Sequence, residues 1–343
     1  MMYCLYFAGL KFDSVVTAKF DDIHPDLQQY LKELPGFLLR SKAAGTVQGY
    51  TYAIKHWSSY ATEYELQVFP ARTNDLVLYF VKLSGEKSAS SLNTTYSALK
   101  WIHSFVSNDC NNPLDNAMIK SIISTSVREK GRPTSHKAPV TANVLRDMCL
   151  RHSASNDLFI RRDVALCLLC FSGFLRYAEI SELRCRDIAF HEFGMTVYIS
   201  QSKTDQYRHG NSVVISRSNS ISCPVGNLEK YMVLAQIHES SNNFLFRPIS
   251  RSKSSCCLVA SQRKLSYMRM QEIVRLRLEG LVSDVSQYSL HSFRAGGATQ
   301  AAEAGIPDRC FKKHGRWASE NAKDRYVEES LQTRLEVTKK LGL

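Results

Sequence analysis

The chain has 343 residues, 44% of them apolar and 22% charged, enough for one large domain or two ordinary ones that each bury a core. This balance excludes general disorder. The formal charge of +12 is unevenly placed: residues 1–135 carry 14 Lys and Arg against 12 Asp and Glu, whereas residues 136–343 carry 30 against 20, so the second part is expected to sit on a polyanion.

The ten cysteines lack the spacing of a secreted framework, and Met1–Leu10 is apolar but has no basic region or small-residue cleavage site. It is also too short to span a bilayer. Reduced thiols in the nucleus or cytosol, and no membrane partner, are the expectation. Cys167 and Cys170 have the CxxC spacing, but they stand in an apolar helical run without a second pair, so buried packing is expected rather than zinc.

In chain order, the pattern predicts a helix over 26–40, a break at 41–45, and a second helix over 46–64 whose Tyr50, Tyr52, Ile54, Trp57 and Tyr60 read mainly as core. Further helices are predicted over 74–83, over 88–106 with Leu92, Tyr96, Leu99, Ile102 and Phe105 at helical spacing, and from Pro113 to about Val127. These five helices make an all-α module of ordinary domain size with no visible catalytic group. Residues 129–139 are polar and basic, with Pro133, Pro139 and Gly131, and read as a linker.

Past the linker, helices are predicted over 141–151 and over 156–173, the latter strongly apolar. Its end at Gly173-Phe174-Leu175-Arg176 puts an arginine beside buried helix, where it needs a partner such as Glu179 or Glu182 on the stretch 178–183. Periodicity then changes to that of a hairpin: Thr196–Ile199 and Val213–Ile215, joined by a polar tip carrying Lys203 and Arg208. A helix over 224–237, a short extended piece at 243–246 and a basic serine-rich loop at 250–255 follow. Helices are then expected over 265–278 and 289–304. Gly296 and Gly297 weaken the latter by roughly 1 kcal/mol each, which points to close approach of another backbone or of DNA. One more helix leads to His314-Gly315-Arg316-Trp317, and the last is expected to carry Tyr326 and continue toward Leu343.

Four of these signals stand in a telling order: Gly173-Phe174-Leu175-Arg176 with Glu179, Lys203 in its hairpin, His291-Ser292-Phe293-Arg294, and Tyr326 nine residues after Trp317. Over roughly residues 160–330 this set resembles the tyrosine recombinase (phage integrase) family. Ser202-Lys203-Thr204-Asp205-Gln206 and the run from His291 to Thr299 are more similar to the Crypton and DIRS-like recombinases of eukaryotic mobile elements than to bacterial chromosome-resolution enzymes. The chain departs from the bacterial pattern at Ala295 and at Trp317, each where histidine is common. His314 is an alternative motif histidine, but the nine-residue spacing to Tyr326 favours Trp317.

The resemblance implies a mainly α protein with a small β-sheet. Residues 1–25 would be an extension, 26–128 an all-helical core-binding domain that clamps DNA, 129–139 a linker, and 140–343 an α+β catalytic domain with a C-terminal helix. It implies site-specific recombination: Tyr326 attacks a scissile DNA phosphate to give a 3′-phosphotyrosyl link, which conserves the phosphodiester energy. Arg176 and Arg294 clamp the non-bridging oxygens, His291 assists the phenol, Trp317 donates its indole N–H, and Lys203 protonates the departing 5′-oxygen. Glu179 would orient Arg176 from behind. Arg208, Arg251, Lys253 and Arg316 are candidate DNA contacts. No metal or other cofactor is expected, and the implied partners are double-stranded DNA and further copies of the chain, as a homotetramer on two DNA sites in the nucleus. Two other readings share these features: a former transposase kept only for binding DNA, and a type IB topoisomerase, against which length and the helical N-terminal module argue.

Overall fold

The computed structural model describes residues 16–17, 20, 23–106, 111–131, 137–200, 210–251, 256–259, 263–317, 319–324, 326–327, 334–335 and 338–341. Contacts divide the chain into two compact units, 1–134 and 135–343, with the division inside the linker expected from composition.

The described part of the first unit is helical: α1 (Gln28–Arg40), α2 (Ala44–Glu63), α3 (Thr73–Glu86), α4 (Ala89–Val106) and α5 (Ala117–Lys130). Its core joins Ile54 and Trp57 of α2 to Leu76, Tyr79 and Phe80 of α3 and Leu92, Leu99 and Ile102 of α4, all essentially inaccessible. These positions recur at three- and four-residue steps, so each helix buries one stripe. Tyr52, read as core, is 68% exposed on the opposite face. The α5 helix runs through Glu129 and Lys130, because nothing breaks it before Gly131 and the basic pair Arg128 and Lys130 suits a helix C-terminus.

In the second unit, the extended 137–140 segment is bonded into the domain through Ala138 N–H to Gln287 O and Val140 N–H to Ser292 O, both 2.9 Å. The helices α6 (Ala142–Arg151) and α7 (Leu158–Ser172) follow, then α8 (Tyr177–Glu182). Most of α7 is buried, including Cys167 and Cys170 as free thiols, and it packs against the later helices α9 (Pro224–Leu234) and α11 (Leu290–Glu303). Arg162 and Asp163 are buried on it as an ion pair at 2.8 Å, with Arg277 against the other carboxylate oxygen at 3.4 Å.

Where a single hairpin is expected, the structure has a three-stranded antiparallel sheet: β1 (Ile188–His191), β2 (Gly194–Ile199) and β3 (Asn211–Ser216) in that order. Val197 is the partner of both Ile188 and Val213, and alternate side chains are buried while Tyr198 and Val214 face solvent. The stretch expected to be a loop from residue 250 instead begins in a strand, since β4 (Ile249–Arg251) pairs antiparallel with β5 (Cys256–Leu258). Beyond it lie α10 (Tyr267–Leu278), α11, α12 (Asp308–Gly315) and α13 (Glu320–Asp324). The last of these is a single short turn of helix, so Tyr326 stands just past it rather than within a long C-terminal helix. Lys203, Arg208 and Lys253 lie outside the described residues.

Candidate active site

Three segments of the second unit, 173–179, 291–297 and 314–317, converge on one another, with Tyr326 beside them. At the end of α7 the chain turns through Phe174, whose φ of 48° lies in the left-handed region that a non-glycine residue adopts at a cost of roughly 1–2 kcal/mol. In this turn the Phe174 carbonyl accepts from both Arg294 Nη1 and Arg316 Nη2.

Arg176 caps α8. Its backbone N–H donates to Glu179 Oε2 at 2.8 Å and its Nη1 to Glu179 Oε1 at 2.9 Å, which settles its partner as Glu179; Glu182 pairs instead with Lys264 at the surface. Glu179 is fully buried and also receives Arg316 Nη2 on Oε2 at 2.8 Å. Burial would raise its pKa, but the charge of Arg316, then the backbone N–H and charge of Arg176, then Arg294, hold the carboxyl below its ordinary value.

On α11, His291 is exposed in the first turn and Arg294 is fully buried one turn on. The two glycines that follow are explained by backbone, not DNA: a Cβ on Gly296 would stand 1.9 Å from Val140 O, and one on Gly297 2.3 Å from Phe171 O. This close seating lets Arg294 reach Phe174 O with Nη1 and Gly315 O with Nη2, the latter at 2.7 Å.

The α12 helix ends at Arg316, which is itself left-handed with φ 56° and ψ 41°. Trp317 then folds back into a cluster with Phe174, Phe311 and Tyr326, its ring centroid 5.8 Å from that of Tyr326. The Arg294 guanidinium lies 4.8 Å from the Trp317 ring centroid and 4.7 Å from that of Tyr326. Tyr326 is half-buried.

Two features of this cluster are unbalanced. Arg294 Nε and Trp317 Nε1 are buried without a hydrogen-bond partner among the described residues, and each such orphaned donor costs about 1–3 kcal/mol. Three guanidinium groups, those of Arg176, Arg294 and Arg316, also surround the single carboxylate of Glu179. Burial first, and then Arg176 and Arg316, push Arg294 down to about 9, still charged at neutral pH. Both imbalances are relieved by an anion that accepts hydrogen bonds, and a phosphodiester has that chemistry.

His314 is engaged elsewhere. Its Nε2 lies 2.7 Å from the Ser172 carbonyl, to which it must donate, and burial depresses its pKa, so the neutral ring fastens α12 to the end of α7. Arg316, expected as a surface DNA contact, is corrected by its burial: its side chain is 2% exposed, and it bonds inward because Glu179 and three carbonyls are there to receive it. Arg251 is 61% exposed on β4 and pairs with Asp157 at 2.7 Å. The part played by Arg316 in holding Glu179 is what sequence reasoning missed; its only local trace is a cation set between a glycine and a tryptophan. Among the described residues, no group of three or more His, Cys, Asp or Glu side chains is arranged to hold a metal ion, and no helix is long and apolar enough to cross a membrane.

Residues 27–108 match the family described as phage integrase, N-terminal SAM-like domain. Over 297 residues the chain is 28% identical to an integrase/recombinase xerD homolog of Selenomonas ruminantium, covering 85% of this chain and 84% of that protein. In sequence the chain is thus similar to proteins named as integrases and recombinases. A second such relative, recombinase cre of Escherichia phage P1, is 24% identical over 172 residues, 48% of this chain and 49% of that protein. The fold agrees with a solved structure, that of XerH site-specific recombinase bound to difH substrate in a pre-cleavage complex, at a TM-score of 0.57 and 13% identity, covering 98% of this chain and 95% of that one.

Proposed function

We propose that this chain is a site-specific recombinase that cleaves and rejoins duplex DNA through a 3′-phosphotyrosyl intermediate, in the service of a mobile element of the Crypton or DIRS-like kind acting in the nucleus. The observation that carries the reading is the Arg294 guanidinium over the Tyr326 ring, beside the orphaned Trp317 indole N–H and close enough to Arg176 to feel its charge. Its relatives are named for integration and recombination, and the similar solved structure is of a recombinase on DNA.

In this mechanism the Tyr326 oxygen attacks the scissile phosphorus as its proton passes to His291. The bond from phosphorus to the 5′-oxygen breaks, and Lys203 protonates that oxygen. Arg176 and Arg294 neutralise the negative charge that develops on the non-bridging oxygens, with Trp317 Nε1 as a further donor. Attack by the free 5′-hydroxyl of another strand reverses the step and releases Tyr326, so no ATP is consumed. The helical first unit and the basic second unit, with Arg208, Arg251 and Lys253 as contacts, hold the duplex through its phosphates, and four copies act on two sites.

Trapping on a nicked DNA substrate made from the element's own termini tests the reading. A covalent adduct is expected on a denaturing gel with the wild type and none with Tyr326→Phe. Salt-dependent binding without an adduct on those ends would reject the strand-transfer chemistry in favour of a protein that only binds DNA.

A further inference from the structure

Arg316 occupies a position that two physical costs argue against. Its left-handed backbone suits glycine, and its guanidinium is taken out of water. The same guanidinium makes a set of bonds that nothing smaller could make. Nη1 donates to Gly173 O at 3.0 Å and His314 O at 2.8 Å, and Nη2 donates to Phe174 O and to Glu179 Oε2, both at 2.8 Å.

Those four acceptors belong to two separate stretches of chain. Gly173, Phe174 and Glu179 lie on the turn that presents Arg176; His314 lies on the turn whose next carbonyl, that of Gly315, anchors Arg294. Glu179 is divided between Arg316 and Arg176, and Phe174 O between Arg316 and Arg294. Arg316 therefore shares an acceptor with each of the two arginines assigned to the phosphate.

We propose that Arg316 is a positioning residue for strand transfer: its guanidinium cross-links the 173–179 turn to the 314–317 turn and so sets the spacing of Arg176 and Arg294 for one phosphate. The inference rests on the function proposed above. A lysine would keep the charge opposite Glu179 but, as a compact point charge without a planar fork, could not span both turns. Glycine would suit the backbone and remove the cross-link.

The test uses the full chain with Arg316→Gly and Arg316→Lys, and two readouts: calorimetric affinity for orthovanadate, and the adduct-forming rate at saturating nicked DNA. Both variants are expected to bind DNA within about twofold of wild type, since phosphate contacts at the surface supply that affinity. Their adduct rate should fall roughly 10- to 100-fold, the range found when partners behind a catalytic group are lost, and vanadate affinity should weaken by at least about tenfold. A folded Arg316→Gly with wild-type rate and wild-type vanadate affinity would overturn the proposal and leave Arg316 as filler of a left-handed turn. If the glycine variant does not fold, Arg316→Lys decides: wild-type behaviour from the lysine variant overturns the cross-link equally. A wild type that binds vanadate but forms no adduct sinks the strand-transfer reading, while the vanadate comparison still decides the role of Arg316; a wild type that binds no vanadate overturns that role.

Discussion

Replacing Gly296 with alanine places a methyl group 1.9 Å from Val140 O, 2.9 Å from its carbonyl carbon and 3.0 Å from its nitrogen. All three are backbone atoms, so no side chain can rotate away. Reaching an ordinary contact requires α11 and the 137–140 segment to part by about 1.5 Å, the lower end of van der Waals contact being 3.4 Å. Such overpacking costs about 1–3 kcal/mol, and here the upper end applies because the strained segment also carries the Val140 to Ser292 bond. Alanine recovers roughly 1 kcal/mol of helix propensity, leaving a net loss of about 2 kcal/mol. In a unit of this size the transition should fall by about 4–8 °C in scanning calorimetry. Gly49→Ala in α2 is the matched control: its nearest neighbour would be Thr94 Cγ2 at 3.8 Å, an ordinary contact, so propensity alone acts and the first unit should melt about 2–4 °C higher. A Gly296→Ala protein that melts at or above the wild-type temperature would refute the account of how α11 is seated.

Trp317→Phe keeps an aromatic ring in the cluster and removes the orphaned N–H together with part of the ring, so lost packing and the relief of an unpaired donor offset and thermal stability should change by less than about 1 kcal/mol, while the adduct rate drops about 10-fold or more. Equal losses in both would show that the indole N–H has no part in the chemistry. In the first unit, His103 is inaccessible, its Nε2 accepting from Ala71 N–H at 3.0 Å and its Nδ1 therefore donating to Leu99 O at 2.7 Å. Burial lowers its pKa from the ordinary 6.5, so its contribution to stability is present above that value and is lost as pH falls through it toward the depressed folded value. Urea unfolding of the first unit should lose at most about 1.4 kcal/mol per pH unit from this group, and His103→Gln should flatten the slope.

How much of this was legible in the sequence depends on the distance over which each residue finds its partners. Leu92, Leu99 and Ile102 reveal α4 because their three- and four-residue spacing is itself the cause of burial on one face. The pairing of Arg176 with Glu179 was visible as one of two choices three and six residues away. In contrast, β1 is four residues long and pairs through Ile188 and Val197, so its identity comes from β2 rather than from its own composition. Three of the four partners of Arg316 lie at Gly173, Phe174 and Glu179, well over a hundred residues earlier, and two of these are main-chain oxygens that leave no mark in a sequence. Periodicity likewise carried the last helix through Tyr326, whereas α13 stops at Asp324.

The carbonyls that receive the arginines have a consequence for mutational scanning. Arg294 is held by the oxygens of Phe174 and Gly315, and Arg316 by those of Gly173, Phe174 and His314, so the accepting half of these contacts belongs to the peptide chain itself. Replacing a side chain cannot delete a peptide oxygen; a screen of point variants would therefore flag the donors and pass over their receivers. Damage to the receivers can arise only from substitutions that reroute the chain. Inactivating changes are thus expected at residues such as Gly297, which carries no reactive group, and would be misassigned by a map that scores chemistry by side chain alone.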